Sequence, residues 1–110
     1  MKKEARIFLS HIADAVDHIE NFTRHLTEEE FLKSVLVQSA VIRQLEIIGE
    51  AVKNLPAELK NKNKHIPWRD IAGLRDKLIH QYFGVDLTLV WIICKRDIPS
   101  LKKFIQSLLN

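Results

Sequence analysis

Apolar positions in the first quarter of the chain recur at helical spacing: Ile7, Leu9, Ile12, Ala15, Val16, Ile19 and Phe22 are separated by acidic and basic residues. This pattern predicts an amphipathic helix from Lys2 to about Leu26. Thr27, followed three residues later by Glu30, reads as a capping box in which hydroxyl and carboxylate each satisfy an orphan backbone donor. A second helix is therefore expected from Glu28 to about Leu55, where Pro56 stops it. Its first half is apolar around most of its circumference, because Phe31, Leu36, Val37, Val41 and Leu45 spread over more than one face, so it is expected to be covered on several sides. In its second half Arg43, Glu46 and Glu50, spaced three and four apart, share one polar face.

Pro56 to Pro67, rich in Lys and Asn, reads as a loop with at most a short helical turn around Ala57 to Lys60. Pro67 suits the first position of a third helix, where its missing donor costs nothing, and Gly84 is a stop for that helix after about Phe83. Asp86 can cap a fourth, with Leu87, Val90, Trp91, Ile93 and Cys94 apolar at its start and Leu101, Phe104, Ile105, Leu108 and Leu109 at its end. Pro99 falls inside it and should bend or split it. The pattern defines an all-α protein: an up-and-down antiparallel four-helix bundle with a kinked or split last helix, one domain over residues 1–110.

Composition narrows the classes. With 46% hydrophobic and 28% charged residues and only three Gly and three Pro, the chain is neither disordered nor fibrous. No apolar run approaches the ~20 residues of a membrane span, and the first residues, Met1-Lys2-Lys3-Glu4-Ala5-Arg6, do not read as a signal peptide, so a soluble cytoplasmic protein is expected. A net charge of +3 suits an acidic partner without requiring one. The lone Cys94, inside an apolar run, reads as a buried small hydrophobe, and no Cys, His and Asp cluster at ligand spacing, so no metal or cofactor is expected.

Candidate chemistry lies on the third helix. Ile71, Leu74, Leu78 and Tyr82 fall within an arc of about 80°, the core face, and His80 points away from it. Arg75 and His80, about 140° apart, bracket a second arc holding Ala72, Asp76 and Ile79. That spacing is poor for sharing one small target on a single helix. Two copies meeting across a two-fold axis would bring Arg75 and His80 of both chains to one cleft, which makes a homodimer a geometric expectation. Imidazole titrates near neutrality and can activate a ribose 2′-hydroxyl or protonate a leaving oxygen, while guanidinium stabilises charge on a phosphoryl centre. Asp76, four residues before His80, can orient the ring, and Tyr82 can bind substrate or pack in the core. His11, His18, His25 and His65 read as solvated side chains.

The stretch Arg75-Asp76-Lys77-Leu78-Ile79-His80-Gln81-Tyr82 resembles the Arg, four residues, His, any residue, Tyr motif of HEPN domains, in particular the HepT-like toxins. The segments Arg43 to Ala51, Ile66-Pro67-Trp68, Phe83 to Asp86 and Asp97 to Leu101 also resemble that family, so the likeness extends from about Val41 to Phe104. It implies a helical homodimer acting as a metal-independent endoribonuclease, the toxin of a type VII-like toxin–antitoxin pair, with Arg75 and His80 catalytic. Arg43, Glu46, Glu50, Asp76 and Tyr82 are the supporting or substrate-binding candidates. The resemblance also implies a neighbouring nucleotidyltransferase antitoxin of the MNT type that transfers AMP to Tyr82. The chain departs from many members at Asp76, where they carry Asn. The competing expectation is a non-catalytic helical module that presents a nucleotide or substrate to such a nucleotidyltransferase.

Overall fold

The structure, a computed structural model, describes residues 1–74, 76 and 84–110, and those residues are helical or lie in turns and connections. Helix α1, Lys3–Thr23, buries Ala5, Leu9, Ile12, Ala15, Val16, Ile19 and Thr23. Five of the seven apolar positions expected from the spacing are in this stripe, while Ile7 and Phe22 are 44% and 38% exposed. The stripe packs on α3, Val35–Lys53, which contributes Val41, Leu45, Ile48 and Val52. Each such aliphatic side chain, removed from water, stabilises the fold by roughly 1.5–3 kcal/mol. A hydrogen bond of 3.1 Å between His18 Nδ1 and Gln44 Oε1 ties the middle of the two helices together. Phe8 lies opposite Ala51 in a shared groove, so the two run antiparallel.

The second predicted helix is broken. The capping box forms as expected, with Glu30 N donating to Thr27 Oγ1 at 3.1 Å and Thr27 N donating to Glu30 Oε1 at 2.9 Å. However, α2 covers only Glu28–Lys33, and Ser34, at φ −108 and ψ 95, leaves the helical region. Its hydroxyl accepts from Val37 N at 3.2 Å and so caps α3. The Phe31 carbonyl, orphaned by the break, accepts from Ser34 N and from the Gln38 amide at 3.0 Å. Serine competes for backbone partners in this way and is a favoured cap, a local effect that apolar periodicity does not register. The break seats Phe31 in the core against Trp91, ring centroids 5.3 Å apart.

The expected cover over this region is also corrected. Leu36 is 81% exposed and Val35 73%, and Leu32 is exposed beside them.

Between Pro56 and Pro67 the short turn is α4, Ala57–Lys62. Pro67 caps α5, Trp68–Ala72, from one position outside the expected first turn. Trp68 and Ile71 are buried, as are the α-helical Leu74 and, near the chain's end, Leu101 and Ile105. Gly84 has φ +99, a left-handed conformation that only glycine adopts without strain, and the end of the helix it is expected to stop lies outside the described residues. Asp86 Oδ1 then accepts from Leu89 N at 3.0 Å and caps α6, Leu87–Ile92.

Pro99 does not split the last helix cleanly. Residues Ile93–Asp97 form a π-turn that leads into α7, Ile98–Leu109, with Ile98 N donating to Ile93 O across the wider loop. The extra residue absorbs the donor that proline lacks and the ring's clash with the preceding turn. Helix α7 lies antiparallel to α1, with Lys102 Nζ donating to Glu20 Oε1 at 2.8 Å at one end and Arg6 donating to Leu109 O at the other. The result is an all-helical bundle around one contiguous core. Among the described residues no helix is long and apolar enough to cross a membrane.

Candidate functional site

Arg43, Glu46 and Glu50 lie where the spacing placed them, on one face of the second half of α3, and they line a groove of ≈ 280 Å³ between α3 and the first half of α1. Arg43 Nη1 approaches Glu46 Oε2 at 3.9 Å, with the Arg43 side chain 70% exposed. So loose and exposed a pair contributes well under ~1 kcal/mol, and the guanidinium stays available to a ligand. Glu46 is half-buried and Glu50 exposed. Asn54, which closes the C-terminal end of the groove, donates to Glu50 O at 2.9 Å and so satisfies a carbonyl at the end of α3.

The other wall comes from α1, and it includes a residue that sequence reasoning had set aside. His11 lines the groove with Phe8, its ring edge-on to the phenyl at 6.0 Å and 89°. A signal was present: Phe8, His11, His18 and Phe22 are spaced three, seven and four apart, which puts all four rings on one stripe of α1. His18 stacks on Phe22 at 6.1 Å and 19°. His65, set edge-on to Phe104, and the exposed His25 keep the solvated roles expected of them.

A different side of α3 carries a helix crossing. At Gly49, between Glu46 and Glu50 in sequence, an added Cβ would come within 3.2 Å of the Ala72 carbonyl oxygen, so α5 rests directly on the backbone of α3. Ala72 stands three residues before Arg75 in the sequence. Arg75, His80 and Tyr82 lie outside the described residues, as does the remainder of the predicted core face, Leu78 and Tyr82. Asp76 is helical and exposed.

Cys94 is buried, and burial pushes its thiol up to about 12, a thiol too high to serve as a nucleophile near neutrality. A second cavity beside it, at the far end of α1, is framed by cations with structural work: Lys95 Nζ donates to Thr23 O at 3.0 Å, capping α1, and sits 4.8 Å over the Trp91 ring. Among the described residues no three His, Cys, Asp or Glu side chains are placed to hold a metal ion.

An all-helical bundle that carries a polar groove and, in its sequence, an Arg-X4-His-X-Tyr segment defines a class of small helical nuclease-like domains. The comparisons give the family. Residues 12–108 match the model of the family described as ribonuclease HepT-like, and the chain belongs to it. It is 51% identical over 108 residues to a protein of Thermococcus cleftensis named "probable ribonuclease HepT", covering 98% of each chain. It is 50% identical over its full 110 residues to a Methanocaldococcus jannaschii protein named "gamma-glutamylcyclotransferase and putative RNase", of which it spans 50%. A further M. jannaschii protein named "putative RNase" is 45% identical over 109 residues, 99% of this chain and 90% of that one. No solved structure matches the chain.

Proposed function

We propose that the protein is a metal-independent endoribonuclease and the toxin of a toxin–antitoxin pair, acting in the cytoplasm, with Arg75 and His80 as its catalytic groups. The observation that carries this reading is membership of the HepT-like ribonuclease family over residues 12–108, a span that contains the whole Arg75 to Tyr82 motif. The packing of Ala72 against Gly49 supports it to the extent that the sequence leading into the motif rests on α3.

In this reading imidazole moves the proton. The ribose 2′-oxygen forms a bond to phosphorus, the bond from phosphorus to the 5′-oxygen breaks, and the 2′-proton is delivered to the leaving oxygen through His80. Arg75 offers a fork of permanently charged donors to the phosphoryl oxygens. Asp76 and Tyr82 stand beside them in sequence as orienting and substrate-binding groups, and Arg43, Glu46 and Glu50 contribute the groove. The working unit is a homodimer whose paired motif segments bring the two groups together. The exposed Leu32, Val35 and Leu36 support association, because so much apolar surface on one chain marks a contact face. Silencing proceeds by AMP transfer from an MNT-type nucleotidyltransferase to Tyr82, which sets a bulky anion beside the cleft and repels RNA phosphate.

The test is cleavage of RNA by the purified protein in the presence of a chelator, set against His80→Ala. Cleavage by the wild type that is lost in the variant, together with loss of growth inhibition, is the expected result. Equal behaviour of the two would favour a non-catalytic module that presents substrate to the nucleotidyltransferase.

A further inference from the structure

Among the described residues, the groove between α1 and α3 brings one cation, Arg43, and two carboxylates, Glu46 and Glu50, beside an aromatic wall. Arg43 pairs with Glu46 at 3.9 Å, and Glu50 stands exposed four residues further along the same face. The groove's volume, ≈ 280 Å³, is near the lower end of small-ligand pockets and suits one flat ring system.

Resting on the ribonuclease reading above, we infer that this groove is a base-recognition subsite that seats a single unstacked guanine of the RNA. Single-stranded RNA is read by stacking bases on aromatic rings and by hydrogen bonds to their Watson–Crick edges. Phe8 and His11 supply the rings, the exposed carboxylate of Glu50 is the acceptor, and Ile47 provides an apolar floor. Guanine is the base whose Watson–Crick edge offers two adjacent N–H donors, N1–H and N2–H, matching the paired oxygens of a carboxylate, with its O6 acceptor lying to one side of that pair. Cytosine and adenine each present an amino group beside a ring acceptor, and uracil a single N–H between two carbonyls. Arg43, at the mouth, meets the sugar-phosphate that leads away from the base. The second ring pair on the same stripe, His18 and Phe22, with Phe22 38% exposed, extends the stacking surface along α1 in the direction a following nucleotide would take.

Two measurements test this. In the first, the full-length protein is titrated with guanosine, adenosine, cytidine and uridine while the His11 ring and Ile47 methyl resonances are followed by NMR. Nucleosides carry no phosphate, so only base and sugar are read. Guanosine is expected to shift both signals, uridine to leave them in place, and Glu50→Gln to abolish the guanosine response. In the second, cut ends of a mixed RNA pool are sequenced. Guanosine should be enriched at one fixed position relative to the scissile bond, Glu50→Gln should flatten that enrichment, and His11→Ala should raise KM about tenfold while kcat changes no more than about twofold. Both substitutions are at exposed positions, and an unchanged Tm verifies the fold.

The inference is overturned if RNA is cut yet both variants keep the wild-type KM and end profile, an outcome that leaves the ribonuclease reading intact. It is equally overturned if no nucleoside moves the groove signals. If guanosine shifts them while RNA is never cut, the subsite stands and the ribonuclease reading falls.

Discussion

The two halves of α3 bury the same side and expose opposite chemistry. Val41, Leu45, Ile48 and Val52 hold the helix to α1 along its length, yet the outer face begins with water-exposed Val35 and Leu36 and ends with Arg43, Glu46 and Glu50 around a groove. Exposed aliphatic surface gains free energy when another protein surface covers it, and exposed charge beside rings gains it from a polar ligand. Under the proposed function, one helix would carry a face for association and a face for substrate, joined end to end.

The comparison can be broken or sharpened in four ways. The largest effect is expected from His80→Ala, which should lower RNA cleavage at least about 100-fold without changing oligomeric state, as removal of a general acid–base group does. Retention of cleavage would detach the polar half of α3 from any catalytic centre at the motif. Next, Leu45→Ala cuts into the side that both halves share and should cost about 2–5 kcal/mol of unfolding free energy, read by denaturant titration. A loss below ~1 kcal/mol would mean that the core is not anchored on α3.

The third, Leu36→Glu, addresses the apolar half alone. It should convert a dimer to monomers by sedimentation while leaving far-UV helicity intact, because Leu36 is held by little within its own chain. A variant that still sediments as a dimer would move the interface elsewhere.

The smallest effect concerns pH. The Cys94 thiol is raised from 9.0 to about 12 by burial, so the folded state keeps its proton where the unfolded chain releases it. Stability from this group is complete below pH 9 and declines as pH climbs toward 12. Cys94→Ala should flatten that part of the Tm profile, and an identical alkaline slope in wild type and variant would show that the thiol has no part in it.

How much of this was readable beforehand follows the range of the forces involved. Short-range signals translated directly: the capping pair Thr27 and Glu30 and the cap at Asp86 each depend on neighbours a few residues away. The buried stripe of α1 and the shared polar face of Arg43, Glu46 and Glu50 followed from helical period alone. The break at Ser34 was hidden because an uninterrupted apolar pattern runs across it, and what decides there is a competition between serine and the helix for the Phe31 carbonyl and the Val37 amide. His11 was passed over for a different reason. Its significance lies in the approach of α3, thirty and more residues away in sequence, which no local pattern encodes.

The π-turn before Pro99 ties two otherwise separate properties of the chain together. A one-residue widening lets α6 and α7 keep their inward faces while a proline sits in the path, so the local residue count and the proline form a matched pair. Remove one residue between Ile93 and Asp97 and the ladder closes to regular pitch, which drives the pyrrolidine ring into the carbonyl four residues before it. Replace the proline as well and a plain uninterrupted helix becomes available. Insertions and proline usage at this spot should therefore vary jointly, never singly, wherever a related chain has been free to drift.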